Sequence, residues 1–505
     1  RFFRDQKTSH LGSPGAVPSD PKAMSGRILI MFDGTRGDLQ PLVIAARALI
    51  EGGFDVMLSG PGDGKTMAKE FNVPFTRSRI SAQKVQMDPK LAEAVHENDI
   101  VKTAEAYQQA KTTLEDPQMI EEEMAALYHL IENWKPDLII GCSMAWYLAV
   151  MIAKIFHIPA IIMSLQLDRP CRSIPLMGIG ERFPKFMNRT IWWLLMRMMA
   201  NQVCTEVLPI LSRLSGLPKS RIRVGMSEAY RYYSAKCKFL SIIGVSPAVI
   251  GEVPEEFNCN NVVVGALMPS EDQQGVTSFG SEEQPEVERF LAAGDAPIYM
   301  GFGSIISGSS KFMTLQLLRA LKITGERGIL MKGWSSMRIE DVEGEEDAEE
   351  LKAYAAEKVL FIAKASHTWL FPRCKVLVHH GGAGTFNAST RSGTPTVIAP
   401  IFVDQPYHAS LLNKRGNGVG TATLAKLKPK DLAEAISKCI NTPSIQQKAK
   451  EVAQQMSQED GRARFVEVIK DYFESHIKTG KHQKMVDFYN QQSCCSCCAS
   501  NPVSY

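Results

Sequence analysis

The apolar positions of this chain fall into short continuous runs and helix-spaced stripes that alternate along the sequence. Residues 27–32 form an apolar run, and after a glycine-containing turn the apolar residues of 42–50 recur with the 3.6-residue period of a helix. Gly52 and Gly53 end that helix and a second run begins at residue 55, which predicts a strand–helix–strand unit. The same order recurs at residues 137–164, 297–331 and 376–399. The pattern therefore predicts an α/β protein with two Rossmann-like halves and parallel sheets.

The longest apolar stretch, residues 138–165, has breaks that argue against a membrane span. A transmembrane helix needs ~20 apolar residues with few or no charges. This stretch contains Lys154, His157 and Pro159. We therefore predict a strand, a helix over residues 145–156 and a second strand.

Two further segments are predicted to be helical. Residues 84–134 are polar and helix-patterned, and residues 190–207 form a helix that opens with the apolar sequence IWWLLM. Two interpretations of that opening stay open. It is either a helix packed in a core, or a face that lines an apolar acceptor site or contacts a membrane.

The length and a change in composition near the middle of the chain define the predicted domains. A chain of 505 residues holds more than one domain. Acidic residues, Pro and Gly cluster after residue 246, as in a linker. The predicted boundaries are a disordered leader at 1–25, an N-terminal domain at 26–245, a linker at 246–290, a C-terminal domain at 291–458, a C-terminal helix at 459–480 and a Cys-rich disordered tail at 481–505.

Charge and cysteine content exclude several classes of protein. The net charge of +3 does not indicate a nucleic-acid partner. The eleven cysteines show no matched pair of C-x-x-C motifs, so we predict neither a zinc site nor a secreted disulfide framework. Reduced thiols fit a cytoplasmic protein. The sequence CCSCC at residues 494–498 has two open interpretations: a site of reversible palmitoylation, or a tail without a role.

The most informative motif is the sequence HHGGAGT at residues 379–385, which lies between an apolar run and a predicted helix. Backbone N–H groups at a helix N-terminus bind anions, and glycine lets a phosphate approach the backbone. The imidazole of His380 can add a hydrogen bond to that phosphate, whereas His379 is predicted to orient or pack. Asp404 and Gln405 follow the next strand and supply polar groups. The motif thus predicts a site for a phosphate-activated sugar.

Several motifs together resemble one enzyme family. They are GTRGDLQP at residues 34–41, GFGS at 301–304, the HHGGAGT motif and DQP at 404–406. In this order they are similar to the sterol 3-β-glucosyltransferase-like UDP-glycosyltransferases, to which the antibiotic glycosyltransferases are related. The resemblance covers about residues 26 to 475.

The resemblance implies the GT-B architecture, in which two Rossmann-like domains face each other across a cleft. It implies that the donor binds to the C-terminal domain and the acceptor to the N-terminal one. It also implies that the C-terminal helix crosses back onto the first domain. The family inverts the anomeric centre and needs no metal or other cofactor besides the UDP-sugar substrate.

The resemblance also implies roles for individual residues. Asp38 would be the base that deprotonates the acceptor hydroxyl, and a helix cap is the competing interpretation. Asp404 and Gln405 would bind the sugar hydroxyls. The acceptor loop would comprise Gly34, Thr35, Arg36 and Gly37. The UDP and its phosphates would be bound by Gly303, Ser304, His367, His380, Gly382, Gly384 and Thr385.

The sequence departs from the family pattern at several positions, among them Thr368, Asp33 and the two places described next. Ala365 and Ser366 precede His367 where the family has Val-Pro, which removes a rigid proline beside the base site. The sequence LDRPCR at residues 167–172 carries more charge than we expect for a sterol pocket.

The expected function is transfer of a hexose, glucose by family analogy, from UDP-glucose to the hydroxyl of an apolar acceptor, first of all a sterol. One alternative is the same chemistry on a polyketide, terpenoid or other lipid alcohol. Another is a non-catalytic protein that binds a UDP-sugar, and the loop at residues 34–41 disfavours a UDP-sugar epimerase. The expected partners are the donor and the acceptor, without nucleic acid, and peripheral contact with a membrane stays an open question.

Overall fold

The computed structural model describes residues 26–491 except 80–81, 98, 115, 143–144, 177–182, 271–272, 274–281, 304–305 and 403. The predicted leader and the CCSCC sequence therefore lie outside the described residues. Within the described ranges the strands form two parallel sheets flanked by helices, which confirms the predicted α/β class.

The first sheet has seven parallel strands in the order β3-β2-β1-β4-β5-β6-β7. The strands are β1 (Arg27–Met31), β2 (Asp55–Pro61), β3 (Phe75–Arg79), β4 (Leu138–Cys142), β5 (Ala160–Ser164), β6 (Ser241–Ile243) and β7 (Asn261–Val263). The chain winds outward in one direction from β1 to β3 and in the other from β4 to β7. The change of direction lies between β1 and β4.

The second sheet has six parallel strands in the order β10-β9-β8-β11-β12-β13. The strands are β8 (Ile298–Gly301), β9 (Gly328–Met331), β10 (Val359–Ile362), β11 (Val376–His379), β12 (Thr396–Ile398) and β13 (Gly418–Gly420). Its winding direction changes between β8 and β11, as in the first sheet. The two halves therefore repeat one doubly wound plan.

Helices connect the strands and cover both sheets. Those that precede the second sheet are α1 (Arg36–Glu51), α2 (Lys65–Glu70), α3 (Ala82–Gln86), α4 (Pro89–Glu97), α5 (Ile100–Leu114), α6 (Pro117–Trp134), α7 (Trp146–Phe156), α8 (Lys185–Ser215), α9 (Lys219–Ile222), α10 (Met226–Tyr232), α11 (Pro247–Ile250) and α12 (Gln284–Ala292). The remaining ones are α13 (Ser310–Thr324), α14 (Ala348–Lys358), α15 (His367–Leu370), α16 (Ala383–Ser392), α17 (Gln405–Arg415), α18 (Pro429–Asn441), α19 (Pro443–Ser457), α20 (Gly461–Tyr472) and α21 (Lys481–Gln491). Among the described residues, no helix has the length and apolar character that crossing a membrane requires.

The apolar stretch at residues 138–165 forms β4, α7 and β5, as its breaks predict. Every position of β4 and β5 is buried, because helices cover both faces of the sheet. Almost every residue of α7 is buried as well, which explains why its sequence is apolar all round. His157, with φ of +54°, ends α7 in the left-handed conformation.

Helix α1 begins earlier than its sequence suggests. Pro41 favours the first turn of a helix, yet the helix starts at Arg36 and contains Pro41 in its second turn. The backbone N–H of Thr35 donates a hydrogen bond to Oδ2 of Asp38 at 3.0 Å. This bond stabilises an N-terminus one turn ahead of the proline.

Two predicted domain boundaries need correction. The predicted linker begins too early, because β7 at residues 261–263 is the last strand of the first sheet. The predicted disordered tail also begins too early, because α21 buries Met485 and Tyr489 against the N-terminal domain. Helix α20 packs against α1 and contributes Phe465 and Ile469 to the core of the first domain. The chain thus returns to its first domain after building the second.

The helical insertion at residues 84–134 divides between the two domains. Helix α6 buries Met124 and Ile131 in the core beside the first sheet. The preceding helices bury Val85, Leu91 and Val95 in the core beside the second sheet. The insertion therefore belongs to the first domain by connectivity but fixes helices α3 to α5 on the second.

Candidate functional site

Both sheets change winding direction beside the loops that carry the sequence motifs. In open α/β sheets, ligands bind outside the carboxyl ends of the strands at such a switch point. The loop after β1 leads into α1, and the loop after β11 leads into α16. The loop after β8, on the other side of the second switch point, carries Gly303. The motifs at residues 34–41, 301–304 and 379–385 are thereby brought to the places where this fold binds ligands.

The N-termini of α1 and α16 face each other across the cleft between the domains. The backbone of Gly37, in the first turn of α1, lies 3.9 Å from the position that a Cβ would occupy on Gly384 in the first turn of α16. The first turn of a helix has N–H groups without partners inside the helix, and its end carries partial positive charge. Two such ends in opposition suit an anion with several charges.

Glycines keep the α16 end of the site open. Gly303 and Gly381 have φ angles of +63° and +89°, which L side chains rarely adopt. A Cβ on Gly382, the residue that caps α16, would lie 2.5 Å from Nε2 of His380. Ser304, predicted to close this end of the site, lies outside the described residues.

His380 is buried beside these glycines with one ring nitrogen unused. Its Nδ1 has no hydrogen-bond partner among the described residues. Burial, followed by the nearby His408, lowers the pKa of His380 to about 4. The imidazole is therefore neutral at pH 7, and its Nε2 is the ring nitrogen that lies next to Gly382.

His379 has the orienting role that its sequence position predicts. The backbone N–H of Gly381 donates to its Nδ1 at 3.0 Å, and its Nε2 lies 2.9 Å from Oγ of Ser389. Because Nδ1 accepts, the hydrogen is on Nε2, which donates to the hydroxyl. Both ring nitrogens are used inside the protein, so this histidine fixes the turn that precedes α16.

His367, which is predicted to bind the UDP, begins α15 and is packed by aromatic residues. Its ring stacks on Phe371 with centroids 4.4 Å apart, and its Nε2 lies 3.3 Å from the Tyr299 hydroxyl. Burial, followed by the charge of Arg36 and by His380, lowers the pKa of His367 to about 3. Arg36 belongs to the N-terminal domain, so its charge acts across the cleft.

Asp38 is fixed at the N-terminus of α1 by the hydrogen bond from Thr35. Gly34, with φ of +140°, makes room for it, because a Cβ there would lie 2.2 Å from Oδ2 of Asp38. The structure therefore supports the capping interpretation of this carboxylate. The same hydrogen bond fixes the carboxylate one residue after Gly37, which contacts Gly384 of the second domain.

Asp404 and Gln405 begin α17, and their side chains differ in what they contact. Oε1 of Gln405 accepts hydrogen bonds from the backbone N–H groups of Ile401 and Phe402, at 2.7 and 3.1 Å. The carboxylate of Asp404 lies 3.5 Å from Nδ1 of His408, and burial raises the pKa of Asp404. Gln405 thus holds the loop in place with its carbonyl oxygen, a contact that its sequence context does not predict.

Two of the three charged residues in the loop that follows β5 pair with each other. Arg169 is completely buried and donates hydrogen bonds to Asp168, Ser164 and Ser241, each at 2.6 Å. The Tyr233 hydroxyl donates to the other oxygen of Asp168. The two charges that argued against an apolar pocket therefore face each other instead of a ligand.

Several contacts of the site were not predicted from the sequence. His96 of α4 places its Nδ1 3.1 Å from Oγ of Ser307, in the loop after β8. His408 donates from Nδ1 to the carbonyl of Gly381 at 2.6 Å. His408 stands four residues after Asp404, and on a helix this spacing indicates that the two side chains are neighbours. Nothing in the sequence links His96 to Ser307. Within the described part of the chain, no cluster of three or more His, Cys, Asp or Glu side chains is arranged to hold a metal ion.

Comparison with solved structures defines the class of fold. The glycotransferase of kitacinnamycin has a TM-score of 0.56 and 16% identity, and covers 88% of this chain and 98% of its own. The spinosyn rhamnosyltransferase SpnG has a TM-score of 0.54 and 14% identity, and covers 88% of this chain and all of its own. The fold is GT-B, as the motifs predict.

Comparison with curated proteins identifies the relatives of the chain. It is 34% identical over 200 residues to the sterol 3-beta-glucosyltransferase UGT80A2 of Arabidopsis thaliana, which is 40% of this chain and 29% of that protein. It is 24% identical over 476 residues to UDP-sugar-dependent glycosyltransferase 52 of Dictyostelium discoideum, which is 88% of this chain and 26% of that protein. The chain thus spans less than a third of the length of these two relatives.

A third relative and a family match agree with these two. The sterol 3-beta-glucosyltransferase UGT80B1 of Arabidopsis thaliana is 24% identical over 463 residues, which is 89% of this chain and 68% of that protein. Residues 345–472 match the family described as erythromycin biosynthesis protein CIII-like, C-terminal domain. The predicted resemblance is confirmed: the chain is a homologue of glycosyltransferases of the sterol 3-β-glucosyltransferase type.

Proposed function

We propose that this protein is an inverting glycosyltransferase that moves glucose from UDP-glucose to the hydroxyl of an apolar acceptor. The acceptor that we propose first is a sterol. The observation that carries the proposal is the opposition of the N-termini of α1 and α16 within van der Waals distance at Gly37 and Gly384. A diphosphate bound beside this contact would meet the backbone donors at the N-terminus of α16. The neutral imidazole of His380, whose Nε2 lies next to Gly382, would add a hydrogen bond to the same diphosphate.

The proposed chemistry is a single displacement. The acceptor oxygen forms a bond to the anomeric carbon while the bond from that carbon to the diphosphate oxygen breaks. The hydroxyl proton passes to the carboxylate of Asp38, and the electron pair of the broken bond stays on the diphosphate. Helix dipoles and N–H groups fixed before the reaction stabilise that developing charge. Attack opposite the leaving group inverts the anomeric centre.

The donor sugar would lie beside Asp404. Its carboxylate is held 3.5 Å from His408, and His408 in turn donates to the backbone of the glycine-rich turn. A carboxylate that accepts from two sugar hydroxyls discriminates strongly between hexoses, because a hexose that lacks the matching hydroxyl leaves the buried group unpaired. Gln405 would contribute through its amide nitrogen, since its carbonyl oxygen holds the backbone of the preceding loop.

The acceptor class rests on the names of the relatives and on the loop after β5. The charges of Asp168 and Arg169 in this loop pair with each other inside the protein, whereas Arg172 is exposed. Leu167, Cys171 and Ile174 of the same loop are buried in an apolar cluster.

The proposal is tested by UDP release from UDP-glucose, with and without a sterol, for the full chain and for Asp38→Asn. We expect release that depends on the sterol and that the variant loses. Release with a non-sterol lipid alcohol alone would overturn the sterol part of the proposal. Binding of UDP without release in the presence of any apolar alcohol would overturn the enzymatic proposal.

A further inference from the structure

Helix α8 exposes large apolar side chains to solvent near its N-terminus. Phe186, Leu194 and Met198 are 71%, 59% and 64% exposed. Spacings of eight and four residues place them on one face of the helix. Phe183, just before the helix, is 41% exposed. We refer to these four side chains as the α8 face.

The α8 face is unusual within the described residues. They contain nine exposed large apolar side chains, and the other five are spread singly over the chain: Met87, Leu114, Met226, Val253 and Ile323. Single exposed apolar residues need no explanation, whereas a contiguous group marks a surface that binds something. The core does not account for the group, because α8 buries its opposite face through Trp192 and Met196.

The charge around the α8 face is of one sign. Lys185, Arg189 and Arg197 lie among its apolar residues, and residues 183–205 contain no Asp or Glu. The first acidic residue of the helix is Glu206, which pairs with Lys111 at 2.6 Å. Basic residues interleaved with exposed aromatic and aliphatic ones are the composition that binds the surface of an anionic bilayer.

The buried side of the same helix segment contacts the loop after β5. Asn188 donates a hydrogen bond to the carbonyl of Arg172 at 2.9 Å. The indole N–H of Trp192 donates to the carbonyl of Ile174 at 3.1 Å. The segment that carries the exposed face is therefore tied to the acceptor side of the cleft.

We propose that the α8 face docks on an anionic phospholipid bilayer, with its apolar side chains among the acyl chains and its basic side chains at the headgroups. Only one face of the helix enters the lipid, because the other is part of the protein core. Docking here brings the loop at residues 171–174 to the membrane surface. An apolar acceptor dissolved in the bilayer would then reach the cleft without crossing water.

The test is flotation of the full chain with vesicles of phosphatidylcholine alone and with vesicles that also contain phosphatidylserine, in the absence of donor. We expect binding to the anionic vesicles that weakens as salt is raised. Replacing Phe186, Leu194 and Met198 by Ser should lower the partition coefficient by about 30-fold or more. Replacing Lys185, Arg189 and Arg197 by Gln should lower it by about fivefold for each charge removed.

Two matched control variants test whether vesicle binding depends on this surface or on exposed apolar side chains and positive charges anywhere on the protein. Ile323→Ser removes an equally exposed apolar side chain from the other domain. The triple change of Lys426, Lys428 and Lys430 to Gln removes three exposed charges there. Both controls should bind like the unmodified chain, and all variants should keep its melting temperature because the changed residues are exposed.

Three results would overturn the proposal. The first is absence of binding to anionic vesicles by the full chain. The second is unchanged binding by the two α8 variants. The third is a loss of self-association by the α8 variants, measured by sedimentation velocity, while their vesicle binding is unchanged. That result would assign the face to a second copy of the chain. Since no donor is present, none of these results depends on glycosyl transfer.

Discussion

The backbone N–H of Thr35 donates a hydrogen bond to Oδ2 of Asp38 at 3.0 Å, so the proposed base is also a cap of helix α1. The two roles make different demands on the side chain. A cap needs an oxygen acceptor, and a base needs a group that takes up a proton. Asparagine satisfies the first demand and not the second, so it separates the two roles.

We predict that Asp38→Asn keeps the fold and loses the reaction. The amide oxygen still accepts from Thr35, so the free energy of unfolding should change by less than about 1 kcal/mol. The turnover number should fall by about 10²- to 10⁴-fold, the usual contribution of a general base. Steady-state UDP release and chemical denaturation measure the two quantities. Asp38→Ala is the companion variant, and it should lose activity and about 1 kcal/mol of stability together. Normal turnover by Asp38→Asn would leave Asp38 as a cap alone.

The neighbouring glycines Gly382 and Gly384 should respond differently to alanine. A Cβ on Gly382 would meet His380 at 2.5 Å, whereas a Cβ on Gly384 would meet nothing closer than 3.9 Å. Gly382→Ala should therefore destabilise the protein by about 1–3 kcal/mol. Gly384→Ala should stabilise the helix by up to about 1 kcal/mol and still weaken UDP binding by about tenfold, because its methyl group occupies the space of the phosphate.

Thermal unfolding and UDP titration of the two variants check this prediction. The informative outcome is a Gly384→Ala variant that is more stable than the unmodified chain and yet binds UDP more weakly. A variant with higher stability and unchanged UDP affinity would show that the phosphate does not approach α16 at this position.

The strands and the glycine motif were predictable because their signals are local. Parallel strands covered on both faces are continuous apolar runs, and the turn before α16 needs glycine whatever surrounds it. The start of α1 was not predictable, because the bond from Thr35 to Asp38 outweighs the preference of Pro41 for a first turn. The sequence also does not say which domain a helical insertion packs against. Leu91 and Met124 look alike in the sequence, yet they are buried in different domains.

The sequence predicted which residues form the candidate site, but not which protein groups each of them contacts. The pattern assigned His379 to the turn, and its two hydrogen bonds there agree with that assignment. The assignment of His380 to a phosphate stays a prediction. The loop at residues 167–172 looked charged because a sequence does not show that Asp168 and Arg169 neutralise each other. Likewise Gln405 looked like a sugar ligand, and only the fold shows that its carbonyl oxygen is engaged by the backbone.

We predict that His96 of α4 supports donor binding. Its Nδ1 lies 3.1 Å from Oγ of the buried Ser307, and its ring packs edge-on against Phe312. His96→Phe keeps an aromatic ring and removes the hydrogen bond, so the loop after β8 should lose one restraint. We expect about a fivefold weaker UDP affinity, which corresponds to a hydrogen bond of about 1 kcal/mol.

A double-mutant cycle with Ser307→Ala measures the coupling of these two residues through UDP titration. The double variant should bind UDP as each single variant does, because either change removes the same bond. Additive losses would show that the two side chains act on the donor site independently.

Stability should fall as the pH drops below 6.5, because buried histidines resist protonation. Burial lowers the pKa of His482 from its ordinary 6.5 to about 3 and that of His380 to about 4. In that window the unfolded chain takes up protons that the folded chain does not bind, so the stability present above pH 6.5 is progressively lost. Each such histidine should contribute a slope of about 1.4 kcal/mol per pH unit.

Chemical denaturation from pH 7 down to 4.5 measures the total slope. His482→Gln should reduce the slope of the unfolding free energy against pH by about the contribution of one histidine. The matched control is His129→Gln, because His129 lies on an exposed helix face. An equal slope in His482→Gln and the unmodified chain would rule out His482 as a source of the acid sensitivity.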